Sequence, residues 1–544
     1  MTLEELHAAI AKKVVVRAGA DTRIIHTGSG DPKDAPWLFD FRALMLQGVW
    51  LDTFAEIFWK KYAGRLPFQV GGLETAAIPL VSAIVMKSVE RGTPINGFYM
   101  RKSRDRDGLM KVVEGTLTDE PVILVDDLIN SGNSFDRQIK ILYALGKRVS
   151  DIFVMLAFRA PEAYASMSAQ GVKLSHLFTL PDFGLPLQSA HAPEIPAPHL
   201  TELWRFAAGS PSFEHVVQKS APILSEGIVC LGSDKGVFYA LRQKDGSIAW
   251  SHEIGKHPKG KGIFSSPAVH DGRVYFGAYD GVVYALDAKN GSELWSYSGA
   301  DWVGSSPVIA EDLGLLFIGL EFGLFRKRGG IVALDLKTGD RRWIDRTNAL
   351  THGSPLYIEE ERLVVIGSND GVAYAYDAGN GERRWTYQSG SDIKTRPAYD
   401  SKRRLVLVPS MDSKLYALRA RDGSPEWAFQ TGAAIYSNPL ISGDKAFIAS
   451  LDKSLYAIEL ETGRKMWEFE TGGRIFASPV LIEGSLWIGS NDGRLYEIDP
   501  ESGARRGSHQ FTERIVNAIA YDGQARRFFV STVANETYCL ARAA

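Results

Sequence analysis

A pattern that recurs every 40 to 48 residues fills the chain from about residue 200 onward, and it restricts the possible folds more than any other feature. A glycine is followed four residues later by a tryptophan, and most copies carry one proline and one tyrosine at fixed places. The glycine and tryptophan pairs are Gly246/Trp250, Gly291/Trp295, Gly339/Trp343, Gly381/Trp385, Gly423/Trp427 and Gly463/Trp467, with Gly503/Gly507 as a copy that lacks the indole. Repeats of this length, with several short alternating strands and a turn glycine, predict the blades of a β-propeller.

The two ends of the repeat array are incomplete and complement each other. The last copy, residues 517–540, has the early strands of a blade but no final strand with a tryptophan. The segment 202–206, with Trp204 at its centre, has such a strand and no blade before it. We therefore predict eight blades, of which one is a split blade made from both segments. This closure removes the exposed edges that an open array would present.

The segment from Asp280 to Asp287, with the Gly291/Trp295 pair that follows, resembles the repeat of quinoprotein-type (PQQ-like) β-propellers. The quinone-dependent dehydrogenases of that group share an adjacent cysteine pair and a calcium site. Here Cys230 and Cys539 are the only cysteines and are far apart in sequence, so we expect them to be small core residues. We expect the propeller to be a platform for an unknown ligand or protein, and we do not expect it to bind the cofactor PQQ.

The residues before the repeats follow a different pattern. Apolar runs of strand length alternate with helix-like stretches between residues 51 and 158, which predicts an α/β domain with a mostly parallel sheet. Five prolines between residues 181 and 200 predict an extended linker, because proline disfavours helix interiors and central strands. The predicted organisation is an α/β domain at 1–185, a linker at 186–200 and an eight-bladed propeller at 201–544.

The most specific segment of the α/β half runs from Val122 to Ser134. It is typical of a buried strand that ends in two carboxylates, Asp126 and Asp127, followed by a loop of small residues and a helix. Free N–H groups and the positive end of the helix dipole make such a loop suited to an anion. Two carboxylates would repel a phosphate, so we expect them to bind hydroxyl groups beside it. A ribose 5-phosphate has both groups.

This segment resembles the phosphoribosyl pyrophosphate (PRPP) motif of the type I phosphoribosyltransferases. Other segments resemble the orotate phosphoribosyltransferases in particular, in the same order along the chain. They are an early strand at 36–42, a pyrophosphate-side loop at 71–80, a mobile catalytic loop at 101–115 and an arginine segment at 156–159. The resemblance covers most of residues 35 to 185 and implies a phosphoribosyltransferase-type fold.

The resemblance also implies roles for individual residues. Asp126 and Asp127 would bind the ribose hydroxyls, and Arg101 and Lys102 would act in catalysis on the pyrophosphate. The residues that would bind PRPP are Glu74, Thr75, Ala76, Asp126, Asp127, Asn130, Ser131, Gly132, Asn133 and Ser134. Arg159, with His26, would contact the base. No fixed protein ligands for a metal are expected, because Mg²⁺ would be carried with PRPP.

The sequence departs from the family pattern in the mobile loop. Where the family has a further lysine and then a histidine or tyrosine, this chain has Asp105 and Asp107, with Arg104 and Arg106 interleaved. A loop that closes over a departing pyrophosphate needs cations, and an acid there opposes that stabilisation. Near the N-terminus, His26 stands where the orotate enzymes carry a lysine, so the accepted base is open.

Two functions therefore stay open. The first is transfer of ribose 5-phosphate from Mg-PRPP to a nitrogenous base, orotate or a related pyrimidine, with release of pyrophosphate. The second is a non-catalytic PRPP or nucleotide sensor that is read out through the propeller. The family resemblance implies a homodimer through the N-terminal domain, in which each mobile loop reaches the partner's site.

The balance of charge excludes further classes. The 62 Lys and Arg nearly cancel the 64 Asp and Glu, so no basic platform for nucleic acid is expected. The first residues are acidic rather than basic, and no stretch has about 18 consecutive uncharged apolar residues. We expect a cytoplasmic protein with no membrane segment.

Overall fold

The computed structural model describes residues 2–17, 25–26, 33–34, 37–101, 113–187, 200–209, 219–255, 262–323 and 327–542. The chain divides into two compact units, Met1–Ile195 and Pro196–Ala544. None of the helices in the described ranges has the length and apolar character needed to cross a lipid bilayer.

The first unit is an α/β domain. Its α-helices in the described ranges are α1 (Leu3–Lys13), α2 (Arg42–Met45), α3 (Gly48–Tyr62), α4 (Ala77–Glu90), α5 (Asn133–Ala144) and α6 (Ala165–Ala169). Its strands are β1 (Val15–Arg17), β2 (Ile25–His26), β3 (Lys33–Asp34), β4 (Trp37–Phe39), β5 (Gln69–Leu73), β6 (Gly97–Met100), β7 (Val113–Gly115), β8 (Val122–Ile129), β9 (Val149–Ala157) and β10 (Lys173–Thr179). Six of them form one sheet in the order β10-β9-β8-β5-β6-β7, in which β7 alone runs antiparallel to its neighbour.

The centre of this sheet is covered on both faces. Along β8, Ile123 and Val125 belong to one buried cluster with α3 and α4, whereas Val122 and Leu124 belong to another with α5. Successive side chains of a strand point to opposite faces, so a strand covered on both sides is apolar without alternation. This is why the apolar run at 122–125 marks a central strand, and the predicted α/β domain with a mostly parallel sheet is confirmed.

The second unit is an eight-bladed β-propeller, as predicted, and every blade is a four-stranded antiparallel sheet. Seven blades are continuous in sequence. In order from the inner to the outer strand they are β12–β15 (Ile223–Ser225, Ile228–Gly232, Val237–Arg242, Ile248–Glu253), β16–β19 (Ala268–His270, Arg273–Gly277, Val282–Asp287, Glu293–Ser298), β20–β23 (Val308–Ala310, Leu315–Phe322, Arg328–Asp335, Arg341–Thr347), β24–β27 (Leu356–Ile358, Leu363–Gly367, Val372–Asp377, Arg383–Gln388), β28–β31 (Ala398–Asp400, Leu405–Pro409, Lys414–Arg419, Pro425–Gln430), β32–β35 (Leu440–Ser442, Lys445–Ala449, Ser454–Glu459, Lys465–Glu470) and β36–β39 (Val480–Ile482, Ser485–Gly489, Arg494–Ile498, Arg505–Gln510).

The eighth blade is split, as predicted. Strands β40 (Ala520–Asp522), β41 (Arg527–Ser531) and β42 (Glu536–Arg542) are joined on the outer side by β11 (Leu200–Ala207). Trp204 of β11 pairs with Cys539 of β42. Strand β12 contacts both β16 and β40, which closes the ring between the first and the last repeat.

Each repeated tryptophan joins its blade to the next one. Its indole lies against the turn glycine of the following blade, and its Nε1 donates to a backbone carbonyl there at 2.7–3.2 Å. The pairs are Trp204/Gly246, Trp250/Gly291, Trp295/Gly339, Trp343/Gly381, Trp385/Gly423, Trp427/Gly463 and Trp467/Gly503. These glycines have positive φ, and a β-carbon on any of them would overlap the indole. The glycine and the tryptophan of the sequence pattern therefore serve two different interfaces.

Candidate functional site

The first unit has one place where a parallel sheet of this topology favours a ligand. The chain leaves β5 through α4 and reaches β6 on one side, whereas β8 lies on the other side of β5. The loops that follow β5 and β8 therefore diverge at the carboxyl edge and leave a crevice between them. Open α/β sheets bind ligands at such a topological switch point.

The loop after β5 forms one wall of the crevice. Gly72 lets two elements approach closely, because a β-carbon there would overlap Ala77 and lie 2.5 Å from the carbonyl oxygen of Val125. The Glu74–Thr75 peptide is cis, and the Glu74 N–H donates to the Met100 carbonyl at 2.8 Å. Of the predicted PRPP residues here, Thr75 is exposed, and Glu74 and Ala76 are partly buried.

The two predicted carboxylates lie near the end of β8, beside this wall. Asp126 is 9% exposed, and its Oδ1 accepts the N–H of Asp127 at 3.0 Å. Asp127 is partly buried, and its Oδ1 accepts the N–H of Leu128 at 2.8 Å. Each carboxylate is thus oriented by the backbone that follows it.

The loop from Asn130 to Gly132 leads from these carboxylates into α5. Gly132, at the N-cap, has φ +80°, and a β-carbon there would lie 2.6 Å from Cε of Met167. It offers no side chain to the first turn of α5, so the N-cap residue leaves the first N–H groups of the helix free of a side-chain cap of its own. Ser131 and Ser134 are exposed beside this helix start, whereas the side chain of Asn133 lies outside the described part. A helix start with glycine at its N-cap and exposed hydroxyls beside it is suited to an anion.

The predicted base-binding arginine lies next to this loop. The Nε of Arg159 donates to Oδ1 of Asn130 at 3.0 Å. Tyr164 links the end of β8 to the arginine segment. Its hydroxyl donates to the Ile129 carbonyl at 3.2 Å and accepts the backbone N–H of Arg159 at 3.3 Å. Burial raises the pKa of the Tyr164 phenol, which keeps it protonated and able to donate. The structure thus brings Arg159 together with the predicted PRPP loop.

The mobile-loop residues are only partly described. Arg101 follows β6, and its Nε lies 3.0 Å from Oε1 of Glu114 on the antiparallel strand β7. Lys102, Arg104, Asp105, Arg106 and Asp107 lie outside the described residues. His26 belongs to β2, which pairs with β3, and its side chain is also outside the described part.

Arg42 was not among the predicted site residues. Its guanidinium binds Asp40 through Nε at 2.7 Å and Nη2 at 3.0 Å. The hydrogen bond with Asp40 raises the pKa of Arg42, and the charge of Asp127 adds to that shift. The resemblance of the segment 36–42 implies only an early strand, so the sequence does not reveal that the charge of Asp127 acts on Arg42. No cluster of three metal-ligand side chains occurs among the residues that the structure describes.

The fold and the crevice define a class of protein: a phosphoribosyltransferase-like α/β domain in one chain with a PQQ-like β-propeller. The family model described as "Outer membrane protein assembly factor BamB" matches residues 198–369 and 368–543. The chain belongs to this family through its propeller.

Relatives of the first unit are orotate phosphoribosyltransferases. The enzyme of Rhodopirellula baltica is 32% identical over 126 residues, which are 23% of this chain and 65% of the relative. The enzyme of Bradyrhizobium sp. (strain ORS 278) is 26% identical over 156 residues, which are 28% of this chain and 84% of the relative. The chain therefore spans slightly less than two thirds of the first of these relatives.

Solved structures share the fold of the second unit. BamB from Moraxella catarrhalis matches with a TM-score of 0.51 and 19% identity, over 63% of this chain and 97% of that one. A europium-containing methanol dehydrogenase matches with a TM-score of 0.53 and 14% identity, over 63% of this chain and 93% of that one. At these identities the likeness concerns the propeller fold alone.

Proposed function

We propose that the N-terminal domain transfers ribose 5-phosphate from Mg-PRPP to a nitrogenous base, orotate or a related pyrimidine first. The bond between C1 of the ribose and the pyrophosphate oxygen breaks, and pyrophosphate leaves with the electron pair. A ring nitrogen of the base forms the new bond to C1 and gives up its proton. Mg²⁺ enters with PRPP as part of the substrate.

One observation carries this proposal: two oriented carboxylates and a helix start with glycine at its N-cap share the crevice at the switch point. Asp126 and Asp127 offer acceptors for the ribose 2- and 3-hydroxyls. The N–H groups at the start of α5, with Ser131 and Ser134, offer donors for the 5-phosphate. Ribose 5-phosphate carries both the hydroxyl groups and the phosphate group that these acceptors and donors suit.

The remaining roles follow from the neighbours of this crevice. Glu74, Thr75 and Ala76, with Arg101 and Lys102, would contact the pyrophosphate, whose departing charge needs cations. Arg159 would bind an anionic group of the base. Its bond to Asn130 supports this role, since it keeps the arginine beside the bound ribose. His26 would be a second contact to the base.

The proposal is tested by measuring pyrophosphate release from purified protein with Mg-PRPP and a panel of bases headed by orotate. We expect release that depends on one base and that falls at least ~100-fold in Asp126→Asn with Asp127→Asn, because two charged acceptors are lost. Asp119→Asn is the matched control, since Asp119 is exposed and pairs with Lys147 instead. Unchanged PRPP binding in the double variant would refute the site assignment.

A second candidate function is a PRPP sensor without turnover. It is favoured by the ion pair between Arg101 and Glu114, which engages one of the two predicted loop cations, and by the acids at 105 and 107. The same assay separates the two functions. Binding of PRPP that requires Asp126 and Asp127, with no release for any base, would assign the sensor.

We also propose that the N-terminal domain pairs with a second copy and that the propeller is a binding platform. Apolar side chains on the neighbouring helices α3 and α4 support the pairing: Val49 is 67%, Met86 68% and Val89 65% exposed. Closed propellers present loops on two faces and an axial funnel, which supports the second role.

A further inference from the structure

The propeller contains a cavity of about 390 Å³ where loops that precede the inner strands meet. Blades all around the ring contribute to its walls, since the lining residues are spread along the sequence from Lys219, before the first blade, to Ala518, before the split blade. A volume of ~300–1,000 Å³ is typical of sites for small molecules. None of the residues proposed above for PRPP or base lines this cavity.

One position of the repeat decides the character of the cavity. The residue just before the repeated proline is small in most blades, and its N–H donates to the side chain at the same position of the next blade. Five such bonds of 2.9–3.0 Å join successive blades. The eight residues at this position are Ala221, Ser266, Ser306, Ser354, Arg396, Asn438, Ser478 and Ala518. Arg396 is the exception in size and charge.

The repeat itself does not require this arginine. A guanidinium has no acceptor atom, so the bond from the N–H of Ser354 to the next side chain cannot form at Arg396. The other blades show that serine, asparagine or alanine is compatible with the fold at this place. Arg396 therefore leaves one gap in this series of hydrogen bonds, and the alanines at 518 and 221 leave two more.

Arg396 is partly buried, and no carboxylate among the described residues pairs with its guanidinium. Its Nη2 reaches past the blade β24–β27 to the carbonyl oxygens of Pro307, at 2.9 Å, and Ser306, at 3.4 Å. Its buried Nε has no hydrogen-bond partner in the described structure. Burial lowers the pKa of Arg396 to about 10, which leaves it protonated at pH 7.

The other basic side chains that line the cavity each have a carboxylate partner. Lys219 pairs with Asp234, Lys394 with Asp392 at 2.9 Å, and His352 with Glu321 at 3.1 Å. In the described part of the lining, Arg396 is the basic side chain without one. A partly desolvated charge without a carboxylate partner is unfavourable, and an anion in the cavity would neutralise it.

The rest of the lining is largely polar but includes aromatic rings. Phe264 and Tyr436 both face the cavity. Burial raises the pKa of Tyr436 to about 12, so its phenol stays protonated and can donate a hydrogen bond. We propose that the cavity binds a small organic anion, with a carboxylate or phosphate group on Arg396 and its body against these aromatic rings.

The test uses the full chain and the variant Arg396→Ser, which installs the residue that Ser266, Ser306 and Ser354 show to be compatible with this position. The probes are benzoate and inorganic phosphate, each titrated by calorimetry. We expect the affinity for one probe to fall at least ~10-fold in the variant, because a charge-assisted hydrogen bond is lost. A benzoate response assigns a carboxylate ligand, and a phosphate response assigns a phosphate ester. The phosphate-suited loop of the N-terminal domain is the same in both proteins, so their difference reports the cavity.

Thermal unfolding without probe provides the second measurement. We expect Arg396→Ser to unfold at the same temperature or higher, since an unpaired charge is removed and the bond from Ser354 can form. Arg419→Ser is the charge-matched control, because Arg419 is largely exposed and pairs with Glu426. A lower unfolding temperature for Arg396→Ser would show that the arginine stabilises the fold, and would overturn the proposal. Equal affinity of both proteins for both probes would also overturn the proposal.

Discussion

At the scale of single residues, the candidate site depends on two glycines that have no chemistry of their own. Gly72, near the end of β5, lets the backbone of β8 approach closely, and Gly132 supplies the left-handed turn that begins α5. The sequence predicts both as parts of loops, but the structure places Gly72 in β5, so the predicted loop at 71–80 is reduced to residues 74–76 between β5 and α4. Their steric reasons come from Val125 and Met167, which lie far away along the chain.

Gly72→Ala is expected to separate the two walls of the crevice. The added β-carbon would lie 2.5 Å from the Val125 carbonyl oxygen, and backbone cannot rotate away as a side chain can. Such overpacking lowers the free energy of unfolding by about 1–3 kcal/mol, measured in urea. A displacement of about 1 Å in a site can reduce its function ~100-fold, so PRPP affinity should fall by at least ~10-fold.

Gly64→Ala is the control for this prediction, because a β-carbon at Gly64 would have no neighbour within 4 Å. Both proteins would be titrated with PRPP. Affinity in Gly72→Ala equal to that of the control would show that the spacing of the two loops is unimportant.

At the scale of elements, the split blade explains the repeat that lacks its tryptophan. Each indole lies on the turn between the third and fourth strands of the next blade. In the split blade these strands are β42 and β11, which come from opposite ends of the unit, so no turn joins them. A tryptophan at the position of Gly507 would therefore have no glycine turn to pack against. At this interface Trp487 packs on Phe528 at 4.7 Å, and Arg542 lies over the Trp487 ring at 5.4 Å.

Strand β11 is expected to be indispensable to the propeller. A fragment of residues 196–544 contains it, whereas a fragment of residues 210–544 leaves β42 as a bare edge strand. Exposed edges pair with other chains, so the shorter fragment should associate and the longer one should unfold cooperatively. Light scattering and thermal unfolding compare the two. A shorter fragment as well behaved as the longer one would contradict the structural role of the split blade.

At the scale of the whole molecule, each unit has its own hydrophobic clusters, and the exposed apolar side chains of α3 and α4 bear on assembly. If these helices pair two copies, Met86→Lys with Val89→Lys should turn a dimer into a monomer without unfolding it, because both side chains are largely exposed. Sedimentation velocity measures the mass. Leu294→Lys, at a half-exposed propeller position, is the control. A wild-type protein with the mass of one chain would refute the pairing.

The sequence alone determined the two folds, because both are encoded by local periodicity. Apolar runs on both faces of β8 indicate a central strand, and an interval of about 40 residues indicates a blade. It also located Asp126, Asp127 and the loop after them, since these residues are consecutive. Tertiary structure decided what depends on distant residues: the effect of the Asp127 charge on Arg42, the bond of Arg159 to Asn130 and the lack of a hydrogen-bond partner for the Nε of Arg396. Periodicity specifies which face of an element is buried, whereas the partner of a charge is known only when distant segments meet.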